Sequence, residues 1–266
     1  MDAFDQFKAM QKQGWAHFAP LEASTMIPAA NLVKFAGISG GQRVLDVACG
    51  TGVAAIPAAR TGAKVTALDL TPELLERARF NAEIAGAEIE FHEGDVEKLP
   101  FADAAFDVVT SQFGHIFAPR PALALSEMLR VLKPGGTIAF NTWPPTELVG
   151  KMFALVARYM PPPPVPAPPP SQWGEKPIIL ERFGSAVRDV AFDTGLMLVP
   201  ALSPQHFRMH TEKTAGPVIK LVEMLEKSDP AKLAEFRREY DALSASYFKD
   251  NAMHQQYLMT RAAKTD

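Results

Sequence analysis

The 266-residue chain is 47% hydrophobic and 21% charged, enough to bury the core of one large domain or of one domain with an elaboration. Its single cysteine, Cys49, excludes an intramolecular disulfide framework and a cysteine-cluster metal site. With 27 basic against 30 acidic side chains there is no global basic footprint for nucleic acid or anionic lipid. No apolar run is long enough to span a bilayer, and Met1-Asp-Ala-Phe-Asp-Gln-Phe-Lys8 lacks the apolar segment of an export signal, so a cytoplasmic protein is expected.

In chain order, residues 43–48 read as a buried strand between Gly40-Gly41 and Gly50-Thr-Gly52, and residues 64–70 as a second. Thr71 as N-cap, with Pro72 in the first turn, predicts a helix that buries Leu74, Leu75, Ala78 and Ala82 and stops at Gly86. Residues 87–92 and 106–111 are the third and fourth strands. A helix between Pro121 and Leu132 turns Leu125, Met128, Leu129 and Leu132 inward. Lys133-Pro-Gly-Gly136 then ends it and launches a fifth strand at 137–142. This alternation predicts right-handed crossovers and an α/β fold with a doubly wound, mainly parallel sheet.

The second half is less regular. Residues 146–159 suit a helix with Leu148, Met152, Leu155 and Val156 on one face. Residues 161–170, eight of the ten proline, read as polyproline II, either a stiff spacer or a wall across an opening. A helix at 178–183, a strand or hairpin at 187–199 and helices at 215–227 and 230–248 follow, and the tail from Gln256 supplies a last edge strand.

The densest chemical signal is Val44-Leu-Asp46-Val-Ala48-Cys-Gly50-Thr51-Gly52 at the end of the first strand. Glycines at a strand-to-helix turn let a ligand approach the backbone and face helix-start N–H groups. Gly50-Thr-Gly52-Val-Ala-Ala55 also satisfies the G-x-G-x-x-A dinucleotide fingerprint, so the glycines leave the ligand open. Asp46 helps to decide: a carboxylate there repels a pyrophosphate and welcomes an ammonium group. Asp69, at the end of the second strand, suits the two hydroxyls of a ribose, with Leu70 bordering the base. Both NAD and S-adenosylmethionine contain that ribose. Asp95 ends the third strand, where an acid accepts from an adenine amino group.

These motifs together resemble the class I S-adenosylmethionine-dependent methyltransferases, and most closely the small-molecule branch that includes the ubiquinone and menaquinone methyltransferases. The resemblance rests on residues 44–52, Ala67-Leu-Asp-Leu70, Gly94-Asp-Val-Glu-Lys-Leu-Pro-Phe101, Phe106-Asp-Val-Val-Thr-Ser111 and Glu127-Met-Leu-Arg-Val-Leu-Lys-Pro-Gly-Gly136, in that order, and covers about residues 35–145. It implies a Rossmann-like, seven-stranded sheet with an N-terminal helical lid (1–36), a cofactor-binding core (37–145) and a substrate-side elaboration of the same domain (146–266). It implies that Asp46, Ala48, Gly50, Thr51 and Gly52 hold the methionine part of S-adenosylmethionine. Asp69 and Leu70 would take the ribose and adenine edge, Asp95 and Val96 the adenine, and Ser111 and Gln112 the amino-acid end by main-chain contacts. The expected product is S-adenosylhomocysteine.

The methyl acceptor is expected to be a small molecule. Ser111-Gln-Phe-Gly114 stands where DNA amino-methyltransferases carry their Asn/Asp-Pro-Pro-aromatic motif, and Trp143-Pro-Pro145 follows the wrong strand, so nucleic acid is not expected. His115, after the fourth strand, is the candidate general base. Trp15, His17, Phe113 and Trp173, with Phe117 and Trp143, are candidates to line the acceptor site; packing in the core is the competing role for each. His206 and His210 share a helix spacing but lack a third ligand nearby, so no metal is expected. A nicotinamide-dependent oxidoreductase would leave Asp46 and residues 94–101 without purpose. A cofactor-binding protein without catalysis stays open, as do monomer and homodimer.

Overall fold

The computed structural model describes residues 2–266. Two helices, α1 (Ala3–Trp15) and α2 (Glu22–Ala36), precede an alternating series: β1 (Arg43–Val47), α3 (Ala55–Arg60), β2 (Lys64–Asp69), α4 (Pro72–Ala85), β3 (Ile89–Glu93), β4 (Phe106–Gln112), α5 (Pro121–Val131) and β5 (Leu132–Thr142). Then come α6 (Leu148–Tyr159), α7 (Lys176–Phe183), β6 (Val187–Pro200), α8 (Pro204–Thr214), α9 (Gly216–Ser228), α10 (Pro230–Ala245), the two-residue β7 (Phe248–Lys249) and β8 (Ala252–Lys264). The strands lie side by side as β3-β2-β1-β4-β5-β8-β6, with β7 against β8. β1 to β5 are mutually parallel and β8 is antiparallel to both of its long neighbours. The order reverses between β1 and β4, which opens a crevice at their carboxyl ends.

Successive strand residues face opposite sides of the sheet, and each face has its own cover. One face carries Val44, Val65, Ala67, Val108 and Ala139 beneath Leu32, Val33 and Ala36 of α2 and Ala55 and Ala58 of α3. The other carries Leu45, Val47, Val109, Ile138 and Phe140 against Leu125, Met128 and Leu129 of α5. α2 is therefore built into the core, whereas Lys8 is the buried residue of α1. The expected lid of residues 1–36 thus divides into two helices with different surroundings.

Several elements differ from expectation for identifiable reasons. The C-terminal tail is not an edge strand: β8 lies between β5 and β6, and Tyr257, Leu258, Met259 and Thr260 are buried in succession, as a strand covered on both faces requires. The edge falls to β6, a single strand that leaves Leu196 and Leu198 exposed. α8 escapes the apolar pattern because Phe207 is its one large buried residue; its start is marked by Ser203, whose Oγ accepts from the His206 N–H at 3.1 Å. Thr71 occupies the N-cap of α4, yet its hydroxyl makes no cap bond. The Lys133–Gly136 segment is drawn into β5 across a ladder irregularity. The proline-rich connector at 161–170 is irregular; it buries Val165 and leads into a 3-10 turn at Pro170–Gly174 that sets Trp173 in the core.

That turn has no room for a side chain at Gly174, where a Cβ would stand 2.3 Å from the Trp143 carbonyl oxygen. Gly174→Ala is expected to lower stability by ~1–3 kcal/mol or more through overpacking against backbone, read as a fall in the urea midpoint at unchanged m-value.

Candidate active site

The carboxyl ends of β1 and β4 are tightly interlocked. Ala48 (φ +52°) and Phe113 (φ +59°) adopt the left-handed region despite their side chains, and Gly50 and Gly52 follow at +54° and +81°. A Cβ on Gly114 would lie 2.4 Å from the Ala48 Cβ, and one on Gly52 would touch Ala78 of α4 at 3.4 Å. Glycine at 114 is therefore demanded by a close approach and glycine at 52 by its backbone angle. The loop is held by Asp69, whose Oδ2 accepts from the Gly50 N–H and whose Oδ1 accepts from the Thr71 N–H, both at 2.8 Å.

Asp46 is 1% exposed. The Thr110 hydroxyl donates to its Oδ1 at 3.3 Å, while its Oδ2 has no partner. Burial, with the Thr110 bond opposing and the Asp69 charge reinforcing, pushes its pKa up to about 7. Burial also raises the pKa of Asp69, against the two backbone N–H groups that favour its charged form. A buried carboxylate with a free oxygen, beside a loop whose backbone a ligand can approach, fits the ammonium end of an amino-acid ligand.

A cavity of about 300 Å³ lies between α1 and the ends of β2 and β3, lined by Asp5, Lys8, Ala9, Lys12, Leu70 and Asp95. Lys8 donates to Asp95 Oδ2 at 2.5 Å and to Glu97 Oε2 at 3.1 Å. Burial pulls the Lys8 pKa down, but these two bonds outweigh it and leave it raised. Asp95 Oδ1 accepts from the Glu97 N–H, and buried Glu97 also accepts from the backbone and guanidinium of Arg120. Asp95 and Leu70 therefore share one cavity, and half-buried Val96 follows Asp95 in the chain. The part played by Lys8, Glu97 and Arg120 was not read from sequence; the signal was a pair of lysines on α1, Lys8 and Lys12, matched by an acidic stretch at Glu93, Asp95 and Glu97 far along the chain.

The candidates for the acceptor side separate. Ser111 Oγ donates to the Val47 carbonyl at 2.9 Å and accepts from the His115 N–H, so it braces the β4 loop. His115 is completely buried, its ring against Phe140 and Trp173. Phe140 and Asn141 are consecutive residues of β5, so the ring lies on the opposite face of the sheet from Asn141, Gln112 and Asp46. Burial, with Arg182 adding repulsion, pushes its pKa down to about 3, and both ring nitrogens lack partners. This corrects its expected position: the ring belongs to the core, not to the crevice. Trp173, 1% exposed, is a core residue in the same cluster. His17 is exposed on the turn after α1, and Trp15 packs on Phe117 at 4.4 Å. Phe113 stacks on Trp143 with ring centroids 4.0 Å apart and meets Tyr257 edge-on. His206 and His210 both lie on α8, and His206 Nδ1 accepts from the Leu202 N–H. Among the described residues no helix is long and apolar enough to cross a membrane.

Residues 45–140 match the methyltransferase domain model. The chain is 36% identical over 261 residues to the uncharacterized protein Rv1405c of Mycobacterium tuberculosis (strain ATCC 25618 / H37Rv), covering 96% of this chain and 94% of that protein. It is 41% identical over 126 residues to a demethylmenaquinone methyltransferase of Clavibacter sepedonicus, covering 46% of this chain and 50% of that protein. A candidate methyltransferase from Bacillus halodurans C-125 shares the fold, with a TM-score of 0.59, 24% identity and coverage of 90% of this chain and 99% of that chain. The chain belongs to the class I S-adenosylmethionine-dependent methyltransferases. Its cofactor is S-adenosylmethionine.

Two substitutions test the electrostatics. The folded pKa of Asp46 lies above its unfolded value, so stability is lost as pH rises from about 4 through 7. Asp46→Asn removes that loss, and its stability relative to wild type is expected to rise by ~3–4 kcal/mol between pH 4 and pH 8 in paired urea titrations. His115 has a folded pKa below its unfolded value, so stability falls as pH drops from 6.5 toward 3. His115→Leu is expected to flatten that acid limb and to keep turnover within a few-fold, against the ~10²–10⁴-fold loss that a general base would show.

Proposed function

We propose that the chain transfers the methyl group of S-adenosylmethionine to a small, partly apolar or aromatic acceptor by in-line displacement. The buried, half-unpartnered carboxyl group of Asp46 beside the glycine loop carries this reading. A nicotinamide dinucleotide would bring a pyrophosphate to the same place, and Asp46 would repel it. When bound, the cofactor supplies an electrophilic methyl group on a sulfonium.

In this reading Asp46 receives the cofactor ammonium, and the backbone of Ala48 to Gly52 cradles the rest of the methionine part. The two backbone bonds to Asp69 leave each of its oxygens a further lone pair for the ribose hydroxyls, next to Leu70. Asp95 and Val96 border the adenine, and main-chain groups of Ser111 and Gln112 complete the amino-acid end. The Phe113–Trp143 stack offers the acceptor an apolar wall that keeps water out. Positioning supplies up to ~7–11 kcal/mol in favourable intramolecular models, so a displacement of this kind does not require a base for an acceptor that arrives deprotonated. The likeness to a demethylmenaquinone methyltransferase, over 46% of the chain, supports methyl transfer itself, and the Phe113–Trp143 stack is what supports an aromatic acceptor.

Calorimetry with S-adenosylhomocysteine tests the assignment. Binding is expected to tighten as pH rises from 6 to 8 and to release up to one proton, seen by repeating the titration in buffers of different ionisation enthalpy. Asp69→Ala is expected to cost ~1.5–3 kcal/mol of that affinity. A pH-independent affinity would remove Asp46 from the site. Binding of a nicotinamide dinucleotide in place of S-adenosylhomocysteine would overturn the reading as a whole.

A further inference from the structure

Gln112 ends β4 and Asn141 lies beside it on β5 as its register partner, so the two side chains share one face of the sheet. Asp46 and Thr110 are register partners on the same ladder, which puts Asp46 on that face too. Both amides reach toward α2. Gln112 Nε2 donates to the Thr25 carbonyl at 2.7 Å, and Asn141 Nδ2 donates to the Pro28 carbonyl at 3.2 Å. Because both partners are carbonyl oxygens, each amide must present its NH₂ to α2 and its own carbonyl oxygen elsewhere. Those two oxygens, Gln112 Oε1 and Asn141 Oδ1, are buried and have no hydrogen-bond partner. Two neighbouring acceptors without donors cost free energy that a bound donor recovers.

The surroundings define what would bind there. Tyr257 lies on the same face, two residues before Met259, which pairs with Asn141 across the β5–β8 ladder. Its hydroxyl accepts from Asn31 Nδ2 at 3.1 Å, and its ring meets Phe113 edge-on. Phe113 directly follows Gln112 and stacks on Trp143, two residues beyond Asn141, so the aromatic cluster and the two amides lie at the same ends of β4 and β5.

We infer that Gln112 and Asn141 form a two-acceptor clasp that selects a planar, mainly apolar methyl acceptor carrying an O–H or N–H group, and discriminates against analogues without one. The clasp recognises the donor and does not remove its proton, since an amide carbonyl is no base. The inference rests on the methyltransferase reading and deepens it: it names the polar feature that the acceptor must show. Asn141, with a different side-chain assignment from the main-chain role given to Gln112, is the residue through which it is best tested.

The probes are 1-naphthol against 1-methoxynaphthalene and indole against N-methylindole, titrated into the full chain saturated with S-adenosylhomocysteine. The wild type is expected to bind the donor-bearing member of each pair at least tenfold more tightly. Asn141→Leu is expected to reduce that ratio several-fold, while Asn141→Asp, which keeps an acceptor oxygen but loses the NH₂ that grips Pro28, is expected to retain most of it. A residue that only anchored α2 would make the two variants fail alike, and that result would overturn the inference. Equal affinity for both members of each pair in the wild type would overturn it as well, whether or not either variant folds. Failure of the wild type to bind S-adenosylhomocysteine would instead strike the underlying methyltransferase reading, so the two failures are separable.

Discussion

The site depends on two carboxyl groups held out of water at the ends of neighbouring strands. Asp69 and Asp46 are both buried, but they are supported unequally. Asp69 accepts two short backbone N–H bonds and thereby shapes the glycine loop. Asp46 has one long hydroxyl contact and a free oxygen. In a low-dielectric setting the second arrangement is costly unless a cation completes it. The left-handed backbone at Ala48 and Phe113 adds ~1–3 kcal/mol of strain each at the same junction. Strain and desolvation thus coincide where β1 meets β4, while on the other face of the sheet the unpartnered His115 ring is a second buried polar group, set among apolar side chains.

The two N-terminal helices answer to this junction in different ways. α2 covers the sheet, and its carbonyls at Thr25 and Pro28 are gripped by Gln112 and Asn141 from the strand ends. α1 is attached more electrostatically, through Lys8 to Asp95 and Glu97, Lys12 to Glu93 and the stacking of Arg120 over Phe4. Glu97 accepts from Lys8 and Arg120 at once, so the outer helix, the loop after β3 and the start of α5 share one buried carboxylate. Removing any partner from such a network leaves a charge underground, so the position of α1 is coupled to whatever else contacts Asp95.

Much of the first half was legible because its chemistry is local. A buried strand, a glycine turn and an apolar helix face recur within short windows, and the acids at the strand ends fall where the period ends. The bounds of β1, β2 and α4 were read nearly to the residue for that reason. His115 was misread because spacing along a loop does not tell which face of the sheet a side chain turns to; the contact with Phe140 settles that only in three dimensions. α8 was missed because helix formation there owes more to the Ser203 cap than to an apolar stripe. The central place of β8 was missed because an edge and a centre differ in what covers them, and the covering elements come from across the chain.

That last difference bears on specificity. The residues proposed to face the cofactor come from residues 46–112, whereas those proposed around the acceptor, Asn31, Asn141, Trp143 and Tyr257, are gathered from the beginning, the middle and the end of the chain. Inserting β8 between β5 and β6 is what carries Tyr257 to the Phe113–Trp143 stack. The likeness to the Clavibacter enzyme covers 46% of the chain, while that to the Mycobacterium tuberculosis protein covers 96%. A shared half can keep a common donor while the other half changes the acceptor, because the acceptor wall is assembled by tertiary packing rather than by the motif-bearing loops. On that reasoning the relatives matched along nearly their whole length, rather than those matched over half of it, are the ones that share the acceptor-side half of this chain.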